Sequence, residues 1–422
     1  MADHDVIVIG AGFTGLTAAT DLMAAGLDVI VVEARNRVGG RVESEYLSNG
    51  TRIDTGGQFL CRDMTHLLAM AERHGARTVF SYVDGEQSYR PAIPHEQGDA
   101  IWDGLEQLRE RMRSVDLTDP AFTGLTVGQW IDRQTDMSSD VTASFRRLVK
   151  GLWCRAPEDV ALAYLVSNDR RITNIYPELE MFLGDTMHAL ADSLAAGLGD
   201  RLRLSAPATS ITVMEDEVEV DVEGRALTAG HVIIAVPPVM ARRIEISPPL
   251  PAELGRALAA WEPGCAIKLQ IGYRTPFWRD KELSGSVMWS DPQGIYACDA
   301  SHDDYFGIVV FLGGPLASEW HKRPQGELAN FVTSELGAAL GESGHEPISV
   351  CIRDWVNDAW SDGAYSDVIT DLEATDAEAV LLEGLPRLRF ACSELSPSFP
   401  GYIEGAIVAG KQAARSIPRR RE

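Results

Sequence analysis

Near the start of the chain Asp5-Val-Ile-Val-Ile9 runs straight into Gly10-Ala11-Gly12-Phe13-Thr14-Gly15, and this junction constrains the fold more than any other feature. The run is short and β-branched, which suits a strand buried on both faces. Leu16, Ala19, Leu22 and Met23 then recur at helical spacing up to Gly26, and Leu27 to Val32 is a second apolar strand ending at Glu33. The result is a complete βαβ unit. A lone G-x-G-x-x-G arises by chance and serves ordinary turns, but between a buried strand and a helix it gains a specific task. Gly10 permits the turn, Gly12 lets backbone approach a pyrophosphate, and Gly15 lets helix and strand pack closely. Glu33 closes the second strand, where a carboxylate accepts ribose hydroxyls. The unit predicts a dinucleotide site.

Charge removes several alternatives. The 422 residues carry 38 Lys+Arg against 62 Asp+Glu, a net −24 that repels nucleic-acid phosphates and anionic membrane. No apolar run reaches the roughly 18–20 residues of a membrane helix, and the longest, Phe306 to Ala317, is broken by Gly313-Gly314-Pro315. Only four residues precede Asp5, so no export signal is expected. The six cysteines (61, 154, 265, 298, 351 and 392) form no C-x-x-C pair, which fits neither a disulfide framework nor a zinc site. No metal is expected, and the thiols read as reduced in a cytoplasm. Arg419-Arg420-Arg421 reads as a solvated tail.

Further along, 84–200 looks mainly helical, with periodic apolar positions in Ile101–Met112, Ser138–Leu152 and Thr186–Leu198. Strand candidates follow at Leu202–Leu204, Ser210–Val213, Val218–Val222, His231–Val236, Ala266–Tyr273, Gly307–Leu312, Ile348–Asp354 and Leu388–Cys392, with helices at Gly326–Leu340 and Ile403–Arg415. Strands near both termini and in the middle imply a sheet domain assembled from distant segments, with a second domain interleaved.

Glu33-Ala34-Arg35-Asn36-Arg37-Val38-Gly39-Gly40-Arg41 adds a second glycine turn and three arginines, and a guanidinium fork matches phosphate oxygens. Here the chain resembles the flavin amine oxidase family, which includes the monoamine and polyamine oxidases. The resemblance implies FAD, with Glu33 on the adenosine ribose and Arg35 and Arg41 along adenosine and pyrophosphate. Gly10, Ala11, Gly12, Thr14, Gly15, Ala34 and Gly40 complete the cradle. Asp54-Thr-Gly-Gly-Gln-Phe59 resembles the loop under the isoalloxazine ring and contributes Gly57, Gln58 and Phe59. Pro207-Ala208 resembles the strand start that meets adenine, through Ala208. Phe390–Glu394 and Gly401–Ala406 resemble the C-terminal flavin-binding pair and contribute Ser393, Glu394, Tyr402 and Ile403. The second of these reads as a helix N-terminus, whose positive dipole end stabilises negative charge on the ring.

Lys268 lies among Ile267, Leu269 and Ile271 in a strand that reads as buried, and buried lysines are rare without a task. The alternative is an outward-facing lysine on an edge strand. The resemblance gives Lys268 the role of holding a water against flavin N5. It also matches Trp355 to the family's cofactor-side tryptophan, makes Tyr365 and Tyr402 the walls of an aromatic cage, and places Trp360 with the substrate. Lys268, Tyr365 and Tyr402 are thus the expected catalytic residues. Ala364 stands where covalently flavinylated members carry cysteine, so the FAD is expected to be non-covalent. Cys392 and Phe399-Pro400 also depart from the family pattern, and an anchoring tail like that of the mitochondrial members is not expected.

The expected architecture is α/β: a doubly wound, Rossmann-like FAD-binding domain from 1–83, 203–257 and 358–422, interleaved with a mixed α+β substrate-binding domain from 84–202 and 258–357. The implied reaction is hydride transfer from the α-carbon of a small-molecule amine to flavin N5, then reoxidation by dioxygen with release of hydrogen peroxide. Two other enzymatic readings are an L-amino-acid oxidase and a flavin-dependent desaturase; a flavin-binding scaffold is the non-enzymatic one. Against the amino-acid oxidase, Leu60 occupies the position where an arginine is expected, and nothing in the sequence puts Arg62 or Arg171 in the pocket. Glu178, Glu180 and Asp169 are candidates for a second ammonium, or else exposed solvated acids. A homodimer is left open.

Overall fold

The β-branched run His4–Ile9 sits in the middle of a parallel stack, bonded to Val29–Val32 on one side and Arg225–Ile234 on the other. The computed structural model describes residues 2–418; the Arg419–Arg421 run lies outside them. The eight-stranded sheet runs in the order Glu245–Ser247, Ala208–Val213, Val218–Val222, Arg225–Ile234, His4–Ile9, Val29–Val32, Leu202–Arg203. Leu388–Phe390 joins it parallel to Arg225–Ile234. Strands from both ends of the sequence therefore build one sheet. The helices Phe13–Ala24 and Ile403–Ser416, from opposite ends of the chain, pack against each other.

A second, six-stranded sheet runs Ser349–Asp354, Ala266–Tyr273, Phe306–Gly313, Ile295–Asp299, Leu283–Trp289, Glu86–Arg90. Ala266–Tyr273 is flanked on both sides and buried at every position, so Lys268 is on an interior strand and not an edge. Glu86–Arg90 corrects the helical reading of that region. Its sequence Glu-Gln-Ser-Tyr-Arg has no apolar alternation, because it lies at the sheet edge with only Leu283–Trp289 to pair with. Met181–Leu183 is a further strand inside the stretch read as helical.

The helices expected from periodicity form as His95–Arg113, Ser139–Leu152 and Met187–Ala196. The second starts at Ser138, whose hydroxyl accepts a hydrogen bond from the Val141 amide and so satisfies an otherwise unpaired N–H. Among the described residues no helix is long and apolar enough to cross a membrane.

Candidate active site

The strand–turn–helix at Gly10–Gly15 is tight where backbone packs and open where a ligand would lie. A Cβ on Gly15 would come within 1.9 Å of the Gly10 carbonyl oxygen, whereas one on Gly12 would meet nothing within 4 Å. Gly12 caps the Phe13–Ala24 helix without any side-chain hydrogen bond, and Tyr402 caps Ile403–Ser416 in the same way. Both helix N-termini open on one cavity, so their first N–H groups and positive dipole ends are free for an anion and an electron-rich ring.

The Glu33 carboxylate is buried and accepts hydrogen bonds from the amides of Ala11 at 2.7 Å and Arg35 at 2.8 Å. Arg35 in turn pairs with Asp358 at 2.6 Å. Burial alone would raise the Asp358 carboxyl, but hydrogen bonds from Arg35 and Arg353 outweigh it and hold it well below the usual carboxylate range. Arg41 donates to Glu394 at 2.6 Å and to the Tyr365 carbonyl at 2.9 Å. Burial would likewise raise Glu394, and the Arg41 charge overcomes it.

The cavity encloses about 1410 Å³, more than the roughly 300–1,000 Å³ of a pocket for a drug-sized ligand. Its volume, glycine cradle, two uncapped helices and Glu33 acceptor together fit a dinucleotide with a substrate beyond it. Every residue that the resemblance assigns to catalysis, cofactor or substrate lines it except Ala11, Gly15 and Glu394. These three stand one layer back: Ala11 orients Glu33, Gly15 lets the helix close on the strand, and Glu394 fixes Arg41.

At the reactive end Lys268 Nζ donates to the Gly56 carbonyl and to Gln58 Oε1, both at 2.8 Å. Gln270 Nε2 also reaches Gln58 Oε1, at 2.9 Å, which pins that amide. An ammonium has three donors, so one N–H of Lys268 remains for a water. Burial lowers Lys268 to about 8, partly offset by the Asp54 charge. Burial raises Asp54 to about 6, opposed first by Lys268 and then by the Met187 and His188 amides at a helix start. Lys268 faces Phe311 across the sheet, its Nζ 5.8 Å from the ring centroid, and Tyr365 meets the same ring edge-on at 6.0 Å. Tyr402 packs edge-on against Phe399 at 6.0 Å. The Trp355 indole donates to the Thr55 carbonyl at 3.1 Å beneath Arg353.

Trp360 does not join this cluster. Its amide is bound to Asp358, the carboxylate that pairs with Arg35, which puts it on the Glu33 side of the cavity with 42% of its surface exposed. Of the acids read either as candidates for a second ammonium or as exposed solvated acids, none is exposed. Asp169 is fully buried beneath Arg109 and Arg113, Glu180 pairs with Arg62, and Glu178 lines the cavity 3.7 Å from Arg109. Arg62 and Arg171 do not line the cavity, and Arg171 is held by Glu378. Sequence reasoning missed Phe311, Tyr296 and the helices His95–Arg113 and Ser139–Leu152 as walls. Phe311 sat in a run read only as strand, and its position opposite Lys268 depends on a cross-strand register.

The family described as flavin containing amine oxidoreductase matches residues 13–418. Putrescine oxidase of Kocuria rosea is 27% identical over 98% of this chain and 95% of its own. An L-amino acid dehydrogenase of Synechocystis is also 27% identical, over 98% and 94%. The solved structure of cyclohexylamine oxidase from Brevibacterium oxydans superposes with a TM-score of 0.91 at 26% identity, covering 98% of both chains. The match takes in the helix of the glycine cradle, the Lys268 strand and the final helix, so it spans the cofactor site and the reactive end together. The chain accordingly belongs to the flavin-containing amine oxidoreductases, enzymes that oxidise amines on FAD.

Proposed function

We propose that a neutral amine is oriented at the reactive end by Tyr365 and Tyr402, with dioxygen as the final electron acceptor. Bound FAD would supply the acceptor for hydride from the amine α-carbon, and dioxygen would take up the two electrons to give peroxide, the imine hydrolysing to an aldehyde or ketone. Glu33 and the cradle glycines would hold the adenosine and pyrophosphate, and Gly57, Gln58, Ser393 and Ile403 would hold the ring. Lys268 keeps a water at the reactive end with its uncommitted N–H. Phe59, Phe311 and Tyr296 exclude the remaining solvent, and the tyrosine π-faces guide the amine. The FAD side corresponds to 1–83, 203–257 and 358–422, and the amine side to the rest. Free thiols at all six cysteines support a reducing compartment, the cytoplasm.

The single observation that carries this reading is Lys268 itself, 4% exposed on an interior strand with one donor unspent. Anaerobic addition of monoamines and diamines is expected to bleach the bound flavin, and air to restore it with release of peroxide. Absence of bleaching by every amine, or bleaching without peroxide on reoxidation, overturns the proposal.

The FAD is expected to leave the protein intact on acid or heat treatment. Ala364 offers a methyl group and no nucleophile. Cys154, which packs in the same cluster, is pushed by burial to about 12 and stays an unreactive thiol. Flavin fluorescence that migrates with the polypeptide through a denaturing gel contradicts this.

A further inference from the structure

Gln270 lies two residues after Lys268 on one strand, so both side chains leave the same face of the sheet. It is 2% exposed, and only one end of its amide is used. Nε2 donates to the Asp54 carbonyl at 3.0 Å and to Gln58 Oε1 at 2.9 Å, whereas Oε1 is buried with no hydrogen-bond partner. Two acceptors around one nitrogen fix which end of the amide is which. The unpaired atom is therefore the oxygen, an acceptor without a donor.

The next residue on that face, Gly272, pairs across the sheet with Gly307. The ring of Tyr305 fills the room these two glycines leave: a Cβ on Gly272 would come within 3.2 Å of it and one on Gly307 within 2.4 Å. Tyr305 is buried, and its hydroxyl also has no hydrogen-bond partner. Burial pushes this phenol up, so it stays protonated and keeps a donor to offer.

Gln270 and Tyr305 line one small cavity together with Asp54 and Gln58, and Gln58 also lines the main cavity. The small cavity measures about 10 Å³, close to the room that a single water molecule needs. A buried acceptor and a buried donor, each costly while unpaired, thus share a space of that size. The Asp54 carboxylate, after accepting from the Met187 and His188 amides, has lone pairs left for the same molecule. Arg52 and His302 also line the space but are engaged elsewhere, Arg52 by Ser44 and Asp192 and His302 by the Ala300 carbonyl.

We propose that Gln270 and Tyr305 hold a structural water behind the reactive end, distinct from the one Lys268 keeps on the cavity side, and that they are thereby positioning residues for Lys268. The water donates to Gln270 Oε1 and accepts from the Tyr305 hydroxyl. Two acceptors aim the Lys268 ammonium, the Gly56 carbonyl and Gln58 Oε1, and the second belongs to a side chain that must itself be fixed. With both ends of its amide engaged, Gln270 holds Gln58 Oε1 where Nζ meets it. The proposal rests on the role given to Lys268 in the amine-oxidase reading and extends it to residues that touch neither amine nor flavin.

High-resolution crystals of the holoenzyme are expected to show one ordered water within hydrogen-bond distance of both Gln270 Oε1 and the Tyr305 hydroxyl. Y305F keeps the ring between the glycines and removes only the hydroxyl. It is expected to slow flavin reoxidation about 3- to 10-fold, the weight of one hydrogen bond, with amine affinity in anaerobic titrations and FAD content unchanged. Q270M, which also releases Gln58, should be slower still. In a K268M background neither change should slow reoxidation further, because the lysine through which they act is gone, whereas a role in folding alone would cost the same in both backgrounds. A dry cavity, or a water that does not reach both atoms, overturns the site. No loss in Y305F and Q270M, or an equal loss with and without Lys268, overturns the positioning role while leaving amine oxidation intact. Wild-type rates in K268M overturn the Lys268 reading and the positioning role with it, and the electron density then still decides whether the water is bound.

Discussion

Replacing Lys268 with Met is expected to slow the flavin half-reactions by about 10²-fold or more, the usual cost of removing one preorganised donor from an active site, while FAD stays bound. Methionine keeps the length and most of the volume but has no N–H. The water at the reactive end loses its anchor, and the Gly56 carbonyl loses a partner. Gln58 remains tied by Gln270, so the loop beneath the ring keeps one of its two fastenings. The cradle at Gly10–Gly15 and the Glu33 and Arg41 contacts belong to other segments, so cofactor content should not change. Stopped-flow measurement separates flavin reduction by amine from reoxidation by oxygen, and the oxidative half is expected to suffer more. Wild-type rates in both halves would make Lys268 a structural residue and remove the most specific support for the site.

The parts of this site that were legible in the sequence are those that one short segment encodes. The cradle needs a strand, three glycines at fixed spacing and a carboxylate at the next strand end, and all of that lies between Asp5 and Glu33. Lys268 could be noticed because a charge stood in an otherwise apolar run. What that lysine faces could not, since Phe311 becomes its neighbour only through the pairing of Ala266–Tyr273 with Phe306–Gly313, and sequence alone does not set a register between distant strands. Glu86–Arg90 was unreadable for a different reason. An edge strand buries little and carries no apolar alternation, so its conformation comes from the sheet it joins.

Charged residues show the same limit more sharply. Arg35 and Asp358, or Arg41 and Glu394, are more than three hundred residues apart and meet only in the folded chain. Nothing local to Asp169 announces the two arginines that pair with it. Trp360 stands close to Tyr365 in sequence, yet its amide is bound to Asp358, the partner of Arg35.

Amines are expected to be oxidised with a kcat/KM about 10²-fold or more above that of the α-amino acids from which they derive by decarboxylation. The reason is the charge inventory of the reactive end, where an α-carboxylate would have to lie within a bond of the reacting carbon. Leu60 is fully buried and does not line the cavity. Arg41, Arg109 and Arg113 do line it, but Glu394, Asp169 and Glu178 already pair with them. A buried carboxylate without a partner costs several kcal/mol, and about 1.4 kcal/mol is a factor of ten in rate. Phenethylamine against phenylalanine, and putrescine against ornithine, are direct comparisons, since each pair differs only by the carboxyl group. The similarity to an L-amino acid dehydrogenase makes the outcome informative in both directions. A higher kcat/KM for any α-amino acid than for its decarboxylated amine would show that Arg109 or Arg41 exchanges its acid for the substrate, and those two arginines would then be the first to replace.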